Sequence, residues 1–122
     1  MFVDSTPPPI GLKIKLQGNA KKCLFFFEGN YTLQPVLCNK QPHWTNDSKM
    51  CSIWFGNGFW KLGFTSHLGK DIAVATGPYG EEDWPQNISS GWKYGDVTSG
   101  TWVDAGADLI FEAKSTGKLT KV

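Results

Sequence analysis

Apolar and polar residues alternate most regularly across residues 51–64, and this alternation predicts a β-hairpin. We place its tip at Asn57-Gly58, because a type I′ turn needs positive φ at both central residues and Asn and Gly tolerate this best. This tip sets three apolar pairs on one face: Phe55 with Trp60, Ile53 with Leu62 and Cys51 with Phe64. The opposite face carries Trp54 beside Lys61, and the pattern leaves open whether it packs against other residues or forms a site.

Shorter runs predict further strands on both sides of the hairpin, at residues 12–16, 31–37, 71–76, 92–94, 101–103 and 108–113. In the first run, Leu12, Ile14 and Leu16 face inward and the two intervening lysines face outward, which favours an exposed sheet edge. In residues 71–76, Ile72 and Val74 are predicted to face inward. Residues 77–91 form the longest irregular stretch, and a long loop in a compact domain is typical of a functional or mobile segment.

The run at residues 23–27 is apolar on both faces. It predicts either a central strand that is covered on both sides or a strand at a partner interface, and we favour the central strand. Together the runs predict an all-β fold: a single domain of short, mainly antiparallel strands in a β-sandwich or partly open barrel. Residues 1–9 are predicted to be a flexible, Pro-rich lead-in, and residues 10–122 the β-domain.

Composition narrows the classes of function. The chain has eight Phe, six Trp and three Tyr among 122 residues, and its formal net charge is +1. All twelve basic residues are lysine, so the bidentate fork that arginine offers to phosphate and guanine is missing, and nucleic acid is not an expected partner. No apolar run approaches the roughly 20 residues that a membrane span needs.

The cysteine count and the glycosylation sequons leave the compartment open. Three cysteines cannot all pair with one another, and we favour free thiols over one disulfide with an odd thiol: Cys23, Cys38 and Cys51. The first residues lack the charged and apolar regions of a signal peptide. Three sequons nevertheless allow a secreted form, at Asn30, Asn46 and Asn87.

Four short motifs occur in a fixed order: Tyr31-Thr-Leu33, Asn39-Lys-Gln-Pro-His-Trp44, Ile53-Trp-Phe55 and Trp60-Lys-Leu-Gly63. In this order the chain resembles a small β-module with the pattern Tyr-x-Leu, Asn-Gly-Arg-Pro-x-Tyr, a short aromatic strand and Trp-x-Ile-Gly. Lys40 and Gln41 stand where the module has Gly-Arg. The resemblance covers a quarter to a third of the chain. It implies a small β-fold and carries no catalytic residue over.

Catalytic and cofactor motifs are missing from the sequence. There is no Gly-x-Ser-x-Gly elbow, phosphate-binding loop or dinucleotide fingerprint, and we predict no cofactor. We expect His43 and His67 to be surface residues without a catalytic role. Asp104 and Asp108 flank a Gly turn as two hard oxygen ligands, but a third acidic ligand is lacking, so an ordinary turn is favoured over a calcium site.

Three tryptophans are the candidates for binding a ligand through exposed rings, and the sequence leaves open the alternative that they close off a small β-core. Trp54 lies on the hairpin's more polar face, Trp84 lies in the long loop, and Trp92 follows it. Indole faces flanked by hydrogen-bonding groups suit sugars, and the polar residues of this predicted site are Asp83, Gln86 and Asn87. We therefore predict a non-catalytic carbohydrate-binding module. A protein partner is the alternative, a small hydrolase is third, and the competing role for Trp84 is a plug that closes a barrel end.

Overall fold

The structure, a computed structural model, describes residues 7–80 and 83–114. Its nine strands are β1 (Gly11–Leu16), β2 (Gly29–Leu33), β3 (Trp44–Asn46), β4 (Cys51–Gly56), β5 (Phe59–Phe64), β6 (Ala75–Thr76), β7 (Lys93–Asp96), β8 (Thr101–Asp104) and β9 (Leu109–Ala113). One α-helix, α1 (Gly18–Leu24), occurs in these residues. Short 3-10 turns cover Phe25–Phe27, Thr65–His67, Pro85–Asn87 and Gly106–Asp108.

The predicted hairpin is confirmed as β4 and β5. All three predicted apolar pairs occur in its register, and Trp54 lies opposite Lys61. At the tip, φ is 54° for Asn57 and 86° for Gly58, the pair of positive values that a type I′ turn requires. The turn residues therefore fix the register of the longest strand pair in the sheet.

The strands form one antiparallel sheet in the order β8-β7-β6-β5-β4-β3-β2-β1-β9. The hairpin is near its middle, with β3 on one side and β6 on the other. Right-handed strand twist accumulates across nine strands, and the sheet curls into a half-barrel. The all-β prediction is confirmed in its partly open barrel form.

The inner face of the curled sheet holds an aromatic core. Trp60 of β5 contacts Trp44 of β3 and Trp84 of the long loop, with ring centroids 5.7 and 6.3 Å apart. The Nε1 of Trp44 donates to the Pro9 carbonyl at 2.9 Å. Each large side chain that is buried here contributes about 1.5–3 kcal/mol of hydrophobic free energy. Pro9 is thus held in the core, although we predicted it in the flexible lead-in, whose residues 1–6 lie outside the described residues.

Helix α1 lies across the open side of the half-barrel. It buries Ala20 and Leu24, and it contacts both β1 and β7, which are far apart in the sheet order. Asn19 Nδ2 donates to the Tyr94 hydroxyl at 2.6 Å, which links the helix to β7. Helix α1 therefore joins the two ends of the sheet.

Residues 23–27 do not form the central strand that we predicted. They finish α1 and make the following 3-10 turn. Ala20, Lys21 and Lys22, just upstream, are helix-favouring residue types, and an apolar run alone does not distinguish a helix from a strand. In the 3-10 turn only Phe27 is buried.

Three further strand predictions need correction. Strand β1 pairs with both β2 and β9, so its lysines mark an outward face and not an edge. In residues 71–76, Ala75 is buried and Ile72 is exposed, because the chain joins the sheet only at β6. Strand β2 ends at Leu33, so the predicted extension to residue 37 is wrong.

Candidate functional site

Trp54 is on the outer face of the hairpin, as predicted, but it is fully buried. Its Nε1 donates to the Lys70 carbonyl at 3.2 Å, and a methyl group on Gly63 would lie 3.0 Å from its ring. The segment after β5 therefore covers this indole. Trp54 therefore has no exposed ring face for a ligand, which agrees with the alternative that it belongs to the core.

Trp84 is also buried, with 5% of its surface exposed. Its ring meets Trp44 nearly at right angles and packs against Trp60, with centroids 6.3 Å apart in both pairs. Asp83 Oδ1 accepts the backbone N–H of Trp84 at 2.7 Å and Asn87 Nδ2 at 2.8 Å. These contacts fit the plug, and they leave Trp84 no exposed face on which a sugar could stack.

Trp92 packs inside the half-barrel against Phe111, with centroids 4.5 Å apart. Its Nε1 is buried without a hydrogen-bond partner in the described chain, and so is Gln86 Oε1. The predicted site residues therefore have mainly internal contacts. The polar side chain of Asn87 is the exposed member of the set.

The predicted metal candidates do not converge in the structure. Asp104 pairs with Lys93 at 3.0 Å, and the described residues contain no cluster of three or more potential metal ligands. His43 is buried, contrary to our prediction of a surface residue, and this burial lowers its pKa. The described residues also contain no helix that is long and apolar enough to cross a membrane.

A polar pocket of about 320 Å³ opens on the outer face near the hairpin tip. Backbone of Gly56 and Gly69 contributes to it, and its polar side chains are Asn39, Gln41, Asn57, Lys61, Lys70 and Asp71. Three separate segments meet here: the turn after Cys38, the hairpin, and the segment that follows β5. The sequence leaves open whether the face of the hairpin that carries Lys61 is a packing surface or a site. For Asp71 the sequence predicts only a position in a strand.

Lys61 forms the floor of the polar pocket and is 1% exposed. Its ammonium donates to the Gly56 carbonyl, lies 3.3 Å from Asp71 Oδ1, and lies 5.4 Å from the Phe59 ring centroid. A buried ammonium without such partners would be very costly. These contacts therefore hold the side chain in one place.

Asp71 is the exposed member of this ion pair, with 66% of its side chain accessible. Hydrogen bonds from Lys61 and then Asn57, together with the Lys61 charge, lower the pKa of Asp71 below its ordinary value of 3.8. Its carboxylate therefore stays ionised far below neutral pH. It presents fixed acceptor oxygens to the polar pocket.

The turn that carries Asn39 has an unusual backbone. Asn39 and Lys40 have φ of 54° and 69°, and Cys38 and Gln41 exchange backbone hydrogen bonds across them. This is the conformation that Asn-Gly favours, although Lys40 occupies the second position. Asn39 Nδ2 donates to the carbonyls of Phe55 at 3.1 Å and Gly69 at 3.4 Å, so the side chain offers its amide oxygen as an acceptor.

A second depression, the apolar groove, lies beside the edge strand β8 and has a volume of about 360 Å³. Trp102 lines it and is 52% exposed, and Val97 and Gly95 line it as well. We had assigned Trp102 only to a strand. Its alternation with Val103, which packs against the core, is the sequence signal for its outward orientation.

The fold and its two depressions define a small all-β domain with an open, curled sheet. Comparison of the chain with protein-family models, curated proteins and solved structures finds no significant match. The resemblance to a small β-module therefore stays a prediction.

Proposed function

We propose that this chain is a non-catalytic binding domain and that its ligand is a carbohydrate, bound in the polar pocket. The observation that carries the proposal is the pairing of buried Lys61 with exposed Asp71 at the pocket floor. Sugar hydroxyls donate and accept, so they need fixed groups of both kinds. Here Asp71 and Asn39 offer acceptor oxygens, and Lys70 offers a donor.

The size and position of the polar pocket define the kind of glycan. Its volume is at the small end of the roughly 300–1,000 Å³ of ligand sites, and it is a local depression at a hairpin tip. It therefore suits one terminal sugar rather than a long internal stretch of polysaccharide. The Phe59 ring centroid lies 5.4 Å from Lys61 Nζ and 5.2 Å from the Tyr79 ring, and this aromatic pair supplies an apolar surface for sugar C–H groups.

The pocket lining favours binding over hydrolysis. It contains one carboxylate, and among its described residues there is no histidine, serine, threonine or cysteine. Glycoside hydrolysis by the common mechanism uses two carboxylates. The small hydrolase therefore ranks third, and a hydrolase screen of the purified chain tests it directly.

Two glycine substitutions test the proposal with a matched control. A methyl group on Gly56 would lie 2.9 Å from Asn39 Nδ2 and 3.7 Å from Lys61 Nζ, whereas one on Gly95 would meet no atom within 4 Å. After a glycan array identifies a ligand, calorimetric titration should show at least tenfold weaker binding for Gly56→Ala and unchanged binding for Gly95→Ala. An array without a reproducible ligand, or equal affinities for the two variants, contradicts the proposal.

A protein partner at the apolar groove is the second candidate function. The half-exposed Trp102 favours it, because tryptophan is enriched among binding hot spots and, within residues 7–80 and 83–114, β8 has a strand neighbour on one side only. In that case Trp102→Ala and Gly95→Ala should weaken capture of the partner, and Gly56→Ala should not. The same three variants thus separate the two candidates.

A further inference from the structure

Two exposed lysines flank the polar pocket on neighbouring segments of the chain. Asn39 Nδ2 donates to the Gly69 carbonyl at 3.4 Å, and this contact brings the turn after Cys38 against the segment that follows β5. Lys40 comes directly after Asn39, and Lys70 comes directly after Gly69. Both lysines are therefore sequence neighbours of residues that touch each other at the pocket.

These two lysines give the polar pocket a positive charge. The carboxylate of its lining, Asp71, already pairs with buried Lys61 at 3.3 Å, so these two groups neutralise each other. Within residues 7–80 and 83–114, Lys40 and Lys70 form no ion pair. Two ammonium groups therefore remain to meet a negative charge that a ligand brings.

The backbone of Lys70 is fixed from two sides. Its N–H donates to the His67 carbonyl at 2.9 Å, and its carbonyl accepts Trp54 Nε1 at 3.2 Å. The flexible part of the residue is thus the side-chain stem alone. A fixed backbone lowers the entropy that is lost when the ammonium meets a ligand.

Lys40 occupies a strained backbone position. Its φ is 69°, a conformation that residues other than Gly, Asn and Asp rarely adopt. Glycine at this position would form the same turn without strain. Strained residues that persist in a fold cluster at functional sites. The position therefore indicates that the side chain of Lys40 has a use that outweighs its backbone strain.

We propose that the ligand of the polar pocket is an acidic glycan whose terminal sugar carries a carboxylate or a sulfate, and that Lys40 and Lys70 bind this anionic group. The inference rests on the proposed function and narrows it. Lysine attracts an anion as a point charge, and this chain has no arginine to offer a bidentate fork. The hydroxyls of the same sugar are left to Asp71 and Asn39, whose oxygens are acceptors.

Titration of the isotope-labelled protein with matched sugars, followed by nuclear magnetic resonance, tests the proposal. The probes are methyl glycosides of glucose and galactose, each compared with its uronic acid and with its sulfate ester at the same primary alcohol. In at least one series an acidic member should bind about tenfold tighter than the neutral one, because an exposed ion pair contributes up to about fivefold and two act together. The signals that shift should belong to residues 39–41 and 69–71.

The comparison within each series also identifies the anionic group, since the uronic acid and the sulfate ester are titrated separately. Raising the salt from about 0.01 M to 0.15 M should reduce the preference for the acidic member, because the screening length falls from about 30 Å to about 8 Å. A neutral member that binds as tightly as its acidic partners in both series overturns the proposal and leaves the proposed function standing. If no member binds, both are contradicted.

Lys40→Gly separates a binding role from a structural one. It removes the charge and the strain together, so the urea midpoint should rise while affinity for the acidic probe falls about two- to fivefold. Lys70→Gln should weaken the acidic probe by a similar factor, and both variants should bind the neutral probe unchanged. Lys22→Gln is the matched control, because Lys22 is an exposed lysine of α1 outside the pocket. Equal affinity of all three variants for the acidic probe overturns the proposal.

Discussion

Replacing Trp84 with alanine separates the two roles that the sequence allowed for this residue. Truncation of a buried tryptophan costs about 3–5 kcal/mol. Trp84 is 5% exposed and contacts both Trp44 and Trp60, and each aromatic pair contributes about 0.5–1.5 kcal/mol beyond the buried area. We therefore expect Trp84→Ala to lose free energy of unfolding in the upper half of that range.

Urea unfolding followed by circular dichroism measures this loss. In thermal unfolding, each kcal/mol shifts the melting temperature of a domain of this length by about 3–5 °C, so the melting temperature of Trp84→Ala should fall by roughly 12–25 °C. Trp102→Ala is the matched control, because Trp102 is half-exposed at an edge strand. It should lose less than about 1 kcal/mol, since surface substitutions are usually near neutral.

One result would refute this reasoning. If Trp84→Ala loses less than about 1 kcal/mol and at the same time abolishes glycan binding, Trp84 stacks on the ligand and does not close the barrel. The polar pocket would then be the wrong site. A large loss of stability with ligand affinity retained at low temperature supports the plug.

Three further predictions test the turn, the thiols and the ion pair. Gly58→Val should cost about 1–3 kcal/mol in urea unfolding, because φ is 86° there; a neutral result would count against the Asn-Gly tip. Denatured protein without reductant should show three free thiols, and in the native state Cys51 should react slowest, because it is buried and burial raises its pKa; a single titratable thiol would indicate a disulfide. Because the pKa of Asp71 is lowered on folding, its stabilising effect is present above pH 3.8 and is lost as the pH falls below that value. Acid titration of stability should therefore be shallower for Asp71→Asn, and identical curves would contradict the role of the ion pair.

The parts of the fold that the sequence predicted are those fixed by local chemistry. Asn57-Gly58 specifies its turn by backbone preference alone, and the turn sets the pairing of β4 with β5. The run at residues 23–27 lacked such a signal. An apolar run is compatible with a strand, a helix or exposed residues. Contacts with distant parts of the chain decide which of these structures forms.

The exposure of the tryptophans depended on such distant contacts. The long loop has no periodicity, so nothing local showed that Trp84 turns back between Trp44 and Trp60. For Trp102 the sequence predicted a strand but not its exposure, and the side chain is half-exposed on β8, which lies at the edge of the sheet. Both outcomes depend on how the whole sheet is arranged: the order of its strands leaves β8 at an end, and the curled inner face receives Trp84.

Trp54 connects the core to the candidate site. We predicted that it binds ligand directly, and the structure places it beneath the segment that carries Lys70 and Asp71, with its Nε1 bound to the Lys70 carbonyl. That contact and the Lys61 ion pair hold this segment against the hairpin from two points. A binding site needs groups whose positions are fixed before the ligand arrives, because ordering them on binding costs affinity. In the proposed function, the outer face of the hairpin is therefore both a packing surface and a binding site, since burial of Trp54 and Lys61 is what keeps Asp71 in position to accept hydrogen bonds.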